Sequence, residues 1–227
     1  PPLYGGGGEV ETAEECRRVV PVITAIRRHS DVPISVDTTK AEVARQALVA
    51  GCDIVNDITA LNGDVAMASV AAQAGAPVIL MHMRGTPATM QKDTGYGDVV
   101  AEVADFLRQR VDVAIAAGID PSRLALDPGL GFGKSAAGNF ALLRSLDRFV
   151  DMGYPLVVGA SRKSFIWKTL GLSPADSLEG SLAAAVLAVE RGAHILRVHD
   201  VKETSRAVRL VTRVLDQSSR KAVGSEH

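Results

Sequence analysis

Residues 123–134 read RLALDPGLGFGK, a pattern of strand, polar residue and loop that recurs along the chain. A short apolar run ends at Asp127, and a loop rich in glycine follows before the next helical pattern begins. Five other apolar runs are equally short, and most of them also end at a polar residue. They span residues 33–37, 53–57, 77–82, 155–159 and 194–199. Strands that alternate with helices through short connections are typical of a parallel α/β architecture.

Polar side chains at the strand ends predict a site. In an alternating β/α barrel the carboxyl ends of all strands face one common mouth, where the chemistry takes place. The side chains that we expect to converge there are Asp37, Asn56, Asp127, Lys163, Arg197 and His199. A closed barrel needs about eight β/α units, and about six such units can be recognised here. The pattern therefore predicts either a TIM-type (β/α)8 barrel lacking two units at its front or an open sheet.

Helical patterns fill the segments that connect and follow the strands. Their approximate ranges are 12–29, 41–50, 64–74, 99–117, 139–150, 173–191 and 201–215. Thr12 followed by Glu15 has the spacing of a capping box, which predicts the start of the first helix. We expect residues 1–216 to form a single domain and residues 217–227 to form a polar tail.

Composition and charge narrow the possible function classes. The chain has 227 residues and a net charge of -1, so no overall attraction for nucleic acid or for an anionic membrane is expected. The longest apolar stretch, residues 182–189, is too short to span a bilayer, and no signal peptide pattern is present. Cys16 and Cys52 lack the spacing of a metal site or a disulfide framework. These features predict a cytoplasmic protein in which any anion site is local.

Six short motifs resemble one known family. They are VDTTK at 36–40, VNDI at 55–58, LMHMRG at 80–85, DPGLGFGK at 127–134, VGASRKS at 158–164 and RVHDV at 197–201. In this order and spacing they resemble the dihydropteroate synthases, the folate-pathway enzymes that sulfonamides inhibit. The resemblance covers essentially the whole chain and implies the barrel rather than the open sheet. It also implies a transferase that condenses 6-hydroxymethyl-7,8-dihydropterin diphosphate with p-aminobenzoate, with Mg2+ as cofactor, sulfonamides as inhibitors and a homodimeric assembly.

The chain departs from the family pattern at its start. Family members carry a strand with a metal-contacting Asn, and a second strand, before the helix that begins here near Thr12, and neither is found in this sequence. The metal ligands are therefore not identified. An alternative to the synthase is a truncated pterin-binding fragment without catalysis. A pterin-dependent methyltransferase of related barrel type is a weaker alternative, because it would lack the motifs at 161–164 and 197–200.

The resemblance implies pterin-binding residues at the strand ends. A pterin edge presents N–H donors and a carbonyl, which suit a buried carboxylate, an amide and a cation. The matching residues are Asp37, Asn56, Met81, Asp127, Gly159 and Lys163, with Met83 as an alternative to Met81. Three of them have plainer explanations, because Asp37 could be a helix N-cap, Asp127 could form a turn before Pro128, and Met81 could simply be part of the core. We favour the ligand-binding role for all three.

The diphosphate and p-aminobenzoate are expected at the last strand and at two loops. Arg197 and His199 leave that strand on the same side. They are expected to bind the diphosphate and to act in catalysis together with Lys163. p-Aminobenzoate is expected to contact Phe132, Lys163 and Ser164. Phe132 lies in a Gly-rich loop, where burial as part of the core is not expected.

Other motifs and histidines receive no role. Residues 133–135, Gly-Lys-Ser, resemble the end of a P-loop. However, Pro128 stands where that motif needs a glycine, and proline has no N–H to offer phosphate. His29, His82 and His194 lack polar companions in the sequence and are given no function.

Overall fold

The structure is a computed structural model that describes residues 10–86, 89–90 and 93–216. The predicted tail at 217–227 and the first nine residues lie outside the described part. Six strands lie within it: β1 Ser35–Asp37, β2 Ile54–Asp57, β3 Val78–Met81, β4 Leu124–Asp127, β5 Val157–Val158 and β6 Ile195–Leu196. Each strand falls inside a run predicted from the sequence, so the positions of all six are confirmed.

Helices follow the strands in the predicted order. They are α1 Thr12–Arg27, α2 Ala41–Val49, α3 Met67–Ala74, α4 Val99–Ala116, α5 Ala136–Arg144, α6 Asp147–Val150, α7 Ser164–Leu170, α8 Leu178–Glu190 and α9 Val201–Leu215. The helix predicted over 139–150 is instead α5 and α6, because the backbone leaves helical geometry at Ser145 (φ -113°, ψ 30°). The sequence pattern does not predict α7, which is too short for its apolar spacing to repeat.

The strands are parallel and lie side by side in chain order. β1 to β4 form a four-stranded sheet, in which Met81 of β3 lies opposite Asp127 of β4. β5 and β6 form a two-stranded sheet, and one bridge between Leu126 and Leu156 joins the two sheets. In the part of the chain that is described, no ladder joins β6 to β1. Parallel strands in sequence order with intervening helices are the arrangement of the predicted (β/α) barrel, here with six strands.

A largely aliphatic core lies between the strands and the helices. Its most deeply buried members include Val55, Val78, Leu80, Leu107, Leu124, Leu126 and the aromatic Phe149. Burial of each such side chain stabilises the fold by roughly 1.5–3 kcal/mol. Among the described helices, none is both long enough and apolar enough to cross a membrane.

The predicted capping box at the start of α1 is wrong. Glu11 occupies the N-cap position and makes no side-chain capping bond. Glu15 is buried instead, where its carboxylate accepts a 2.7 Å hydrogen bond from Thr38 Oγ1 and lies 3.1 Å from Lys40 Nζ. Contacts distant in sequence therefore override the local i to i+3 spacing. The result fastens α1 to the segment that follows β1.

Candidate active site at the strand ends

The carboxyl ends of the strands bring most of the predicted side chains together. Asp37 ends β1, Asn56 lies in β2 and Asp127 ends β4. One cleft at this end of the strands is lined by Asp127, Gly129, Leu130, Phe132, Gly159, Ser161, Lys163, Arg197 and His199. Asn56 lies beside it, since it pairs in register with Asp37, whose carboxylate contacts Arg197. The strand-end rule thus locates the cleft correctly.

Asp127 is a buried carboxylate whose second oxygen is available for a ligand. Its Oδ1 accepts a 2.7 Å hydrogen bond from the Gly129 amide, so the turn interpretation is also correct. No residue that the structure describes donates a hydrogen bond to its Oδ2. Burial raises the pKa of Asp127, and the Gly129 amide and the charges of Lys163 and Arg197 oppose that rise. A ligand with adjacent N–H groups would supply the missing donors.

Lys163 is a half-buried cation facing this carboxylate. Its Nζ lies 3.9 Å from the centre of the Phe132 ring, a cation–π contact. Burial lowers the pKa of Lys163 to about 8, while the nearby charge of Asp127 acts to raise it. Within the described residues its Nζ forms no ion pair. The amine is therefore placed to donate to a bound molecule.

Arg197 and Asp37 meet across the ends of β6 and β1. Arg197 Nη2 lies 2.5 Å from Asp37 Oδ2, and about half of the arginine side chain is exposed to solvent. Asp37 is not the N-cap of α2, because Lys40 holds that position and Asp64 Oδ2 accepts the hydrogen bond of the Ala41 amide. The helix-cap alternative for Asp37 is therefore wrong, and its carboxylate instead contacts Arg197, which lines the cleft.

His199 is anchored by a residue that sequence reasoning missed. Ser161 Oγ lies 3.0 Å from His199 Nδ1 and also accepts a 3.2 Å hydrogen bond from the His199 backbone amide. Next to it, Arg162 has a left-handed backbone (φ 56°) and forms an ion pair of 2.5 Å with Asp200. Ser161 lies in the VGASRKS motif, so its membership of that motif was the signal that could have identified it.

The Gly-rich loop after β4 lies directly on the backbone that follows β3. A Cβ on Gly129 (φ 68°) would stand 1.9 Å from the carbonyl oxygen of His82. A Cβ on Gly133 (φ 65°) would stand 2.8 Å from the carbonyl oxygen of Arg84. Real Cβ atoms do not approach so closely, so both positions require glycine.

The expectation that Phe132 is not buried as core is wrong. Its side chain is 5% exposed and packs in a small apolar cluster with Ile58, Met81 and Met90. Met83 is partly buried and packs against the same cluster. The glycines explain the error, because they let the loop lie close enough to β3 for the ring to become buried. The cluster gives the cleft an apolar floor.

Of the two remaining predicted residues, Gly159 and Ser164, only the first lines the cleft. Gly159 lines the cleft, where a Cβ would meet Arg197 only at an ordinary contact distance of 3.7 Å. Ser164 is exposed at the first position of α7 and is not among the residues that line the cleft. The structure therefore brings Gly159 into the site and leaves Ser164 at its edge.

A buried acid beside Asn56 was also missed. Asp57 is fully buried, and its carboxylate accepts hydrogen bonds from the amides of Thr59 and Leu61 at 2.8 and 2.9 Å. These bonds hold Ala60 and Leu61 in left-handed conformations (φ 51° and 64°). Such strain persists only where surrounding structure enforces it. The turn carries Ile58 into the apolar floor of the cleft.

A larger groove lies at the opposite end of the strands. Its volume is about 610 Å³, and its charged lining residues are Arg45, Asp53 and Arg123. It sits at the amino ends of β2 and β3, the end that serves stability in β/α barrels. We assign no chemistry to it.

Known proteins resemble the chain along almost its whole length. A model of the pterin binding enzyme family matches residues 5–199. Dihydropteroate synthase of Escherichia coli strain K12 is 47% identical over 216 residues, which cover 95% of this chain and 76% of that protein. The chain is thus shorter than this relative but aligns with most of it.

Solved structures agree with the arrangement of the strands. Dihydropteroate synthase from Xanthomonas albilineans in complex with 7,8-dihydropteroate superimposes with a TM-score of 0.86 at 43% identity, covering 93% of this chain and 78% of that one. The Yersinia pestis enzyme, solved with a sulfonamide drug, gives a TM-score of 0.91 at 42% identity, covering 93% and 77%. The fold described above is therefore shared over more than nine-tenths of the chain.

Proposed function

The chain belongs to the family of pterin-binding enzymes, and from this premise we propose that it acts as a dihydropteroate synthase. The reaction joins 6-hydroxymethyl-7,8-dihydropterin diphosphate to p-aminobenzoate and yields 7,8-dihydropteroate and diphosphate. The observation that carries the proposal is the buried Asp127 carboxylate, which faces Lys163 and has one oxygen without a protein donor in the described residues.

The pterin is proposed to bind at the ends of β2 and β4. Adjacent N–H groups on its edge would donate to Asp127, and the amide of Asn56 can both donate and accept. Lys163 would donate to a ring carbonyl or nitrogen. Leaving a buried polar group without a partner costs about 1–3 kcal/mol, so a molecule that pairs these groups is selected over an apolar one. Met81 is 1% exposed and packs in one cluster with Phe132, so it would support the ring mainly through that cluster.

The diphosphate is proposed to bind at the end of β6. Cleavage of the C–O bond leaves negative charge on the departing oxygens, and cations or N–H donors aimed at those oxygens lower the barrier. Arg197 and His199 are placed for this role. Arg197 is half exposed in its contact with Asp37. Exposed ion pairs are weak, so a diphosphate can compete for the guanidinium at little cost.

p-Aminobenzoate is proposed to supply the nucleophile. Its amine nitrogen forms a bond to the methylene carbon as the C–O bond to diphosphate breaks, and the nitrogen then loses one proton to solvent or to the released diphosphate. The aromatic ring would rest against Phe132, and its carboxylate would lie near Lys163 and, at the edge of the cleft, Ser164. A sulfonamide, which also carries an aromatic amine, would occupy the same wall and act as a competitor.

Mg2+ remains a proposed cofactor, and no step above depends on it. Across the described ranges, no three His, Cys, Asp or Glu side chains cluster to form a metal site. Mg2+ commonly keeps several waters and binds through one or two carboxylates together with substrate phosphates. Bound together with the diphosphate, Mg2+ would offset negative charge on the leaving group. A homodimer and a cytoplasmic location also stay predictions.

The decisive experiment measures diphosphate release from the dihydropterin diphosphate by the whole chain, with and without p-aminobenzoate, in the presence of Mg2+. A synthase releases diphosphate only when p-aminobenzoate is present and forms dihydropteroate in equal amount. The D127N variant serves as the inactive control. Pterin binding without release would instead favour the non-catalytic alternative, and absence of both would overturn the proposal.

A further inference from the structure

Lys134, at the end of the Gly-rich loop, is buried with its amine inside a ring of acceptors. Its side chain is 4% exposed, and its Nζ lies 2.9 Å from His82 Nδ1, from the carbonyl oxygen of Gly129 and from that of Phe132. In the part of the chain described, no carboxylate forms an ion pair with it. The arrangement is therefore a set of hydrogen bonds around one nitrogen, without a neutralising charge.

Such burial needs an explanation beyond packing. A buried amine without partners would cost several kcal/mol, and a methionine would fill similar space without that penalty. An ammonium group has three N–H donors. Four acceptors lie within 3.3 Å of Lys134 Nζ: His82 Nδ1 and the carbonyl oxygens of His82, Gly129 and Phe132. All of its donors are thus used to hold backbone and one histidine ring.

The acceptors belong to two different loops of the cleft. Gly129 and Phe132 lie in the loop after β4, whereas His82 follows β3. The two loops also carry the apolar floor, formed in part by Phe132 and Met81. Because Gly129 has no Cβ, the loop after β4 can lie against the His82 carbonyl while the amine bonds both sides.

We propose that Lys134 and His82 are positioning residues that fasten the loop after β4 to the loop after β3 and thereby fix the ring of Phe132 against the substrate cleft. Neither side chain is proposed to touch a substrate. Since Phe132 is the ring offered to p-aminobenzoate, this inference rests on the proposed function. It predicts that loosening the pair affects the aromatic amine substrate more than the pterin.

The pair keeps its bonds in either of two protonation forms. Burial lowers the pKa of His82 to about 3 and that of Lys134 to about 7, with Asp127 acting to raise the latter and Lys163 and Arg84 acting to lower it. An ammonium donates to the unprotonated Nδ1, and a neutral amine accepts from the tautomer that carries its proton on Nδ1. Both forms leave two N–H bonds to the backbone carbonyls.

The test compares K134M and H82L with H82N and with K202M. K134M and H82L remove the donor and the acceptor, whereas the Asn oxygen can replace Nδ1 as an acceptor. Lys202 is exposed at the start of α9, so K202M makes the same chemical change outside the cleft. Steady-state kinetics would give KM for each substrate. Hydrogen exchange of the peptide covering residues 128–134 would report the loop directly, without substrate.

We expect K134M and H82L to raise KM for p-aminobenzoate by about tenfold, the loss of about one net hydrogen bond, and to change KM for the dihydropterin diphosphate by less than about threefold. Exchange across 128–134 should accelerate in both, while H82N and K202M stay near wild type. Equal rises in both KM values, or unchanged exchange, would overturn the inference. If K134M does not fold, the difference between H82L and H82N tests the inference instead.

If the wild-type chain makes no dihydropteroate, the proposed function fails. Hydrogen exchange across residues 128–134 would still test whether Lys134 and His82 hold the two loops together.

Discussion

The cleft has two walls that are built differently. The inner wall consists of Asn56 and Asp127, at the ends of β2 and β4, and both are 96% buried. The outer wall consists of Arg197 and His199, at the end of β6, and both are exposed. In the first wall, Asp127 accepts a hydrogen bond from the backbone amide of Gly129. In the second wall, Arg197 is held by an exposed ion pair with Asp37, and His199 is held by Ser161.

This difference matches the two parts of the proposed substrate. A flat heterocycle with fixed N–H and carbonyl groups is best discriminated by buried partners, since a mismatched ligand leaves them unpaired. A diphosphate carries several equivalent oxygens and tolerates a mobile guanidinium. Under the proposed function, the inner wall would determine which ring is accepted, and the outer wall would supply positive charge to the leaving group.

The largest effect should come from the inner wall. D127A removes the carboxylate that would accept two N–H bonds from the pterin, and charge-assisted bonds of this kind contribute about 1.5–3 kcal/mol each. We expect pterin affinity to fall by about a hundredfold or more, measured by calorimetry. Unchanged pterin affinity would rule out this role for Asp127.

A second large effect should appear in stability. G129A places a Cβ 1.9 Å from the His82 carbonyl, so the loop must move. We expect the free energy of unfolding to fall by about 2–4 kcal/mol in denaturant titrations. G153A is the matched control, since Gly153 also has positive φ (82°) but open space around it. Its loss should be about 1–2 kcal/mol, the strain of the left-handed backbone alone. Equal losses in the two variants would contradict the close approach of the loops.

A moderate effect is expected at the outer wall. R197A should weaken binding of the dihydropterin diphosphate by about tenfold, because one charge-assisted contact is lost. The affinity for the bare hydroxymethyl pterin should change much less. Calorimetric titrations of both ligands at low and high salt would measure the difference. Equal losses for the two ligands would contradict a phosphate role and would remove the distinction between the walls.

The smallest effect concerns the stability cost of the inner wall. Burial raises the pKa of the Asp127 carboxyl above its ordinary value. The folded protein therefore favours the protonated carboxyl. This favourable contribution to folding is fully present at pH values below the ordinary pKa, and it is lost as the pH rises through the raised pKa. D127N should therefore unfold at a temperature higher by a few degrees near neutral pH, a gain of about 1 kcal/mol. The gain should vanish toward pH 4. A gain that is equal at all pH values would show that ionisation is not its cause.

The sequence was sufficient to locate the strands and most of the cleft. Each strand lies inside a predicted apolar run, and β1, β2 and β4 end at the residue where their run ends. Asp127, Lys163 and Arg197 converge because parallel strands share one mouth. The local pattern failed where partners are distant. Glu15 binds residues more than twenty positions away, and no spacing rule links Lys134 to His82, which lies 52 residues earlier.

The burial of Phe132 could not be predicted for a related reason. A loop rich in glycine usually indicates exposed and irregular backbone. Here Gly129 and Gly133 serve close approach between two loops, which only the packed structure reveals. Asp57 was overlooked because an acid after a strand is a common turn residue, and its role depends on the left-handed backbone of Ala60 and Leu61.

The contact between Asp37 and Arg197 can form only late in the synthesis and folding of the chain. The two residues are 160 positions apart, so the cleft cannot be complete until the last strand has been synthesised and has docked. Contacts between residues so far apart in sequence form late in folding, because the entropy cost of closing a long loop must be met before the contact contributes favourable free energy. The earlier strands can collapse first, during synthesis from the amino end. Binding of a diphosphate ligand would then report the final event of folding, and a chain stalled before β6 would already possess Asp127 but no Arg197.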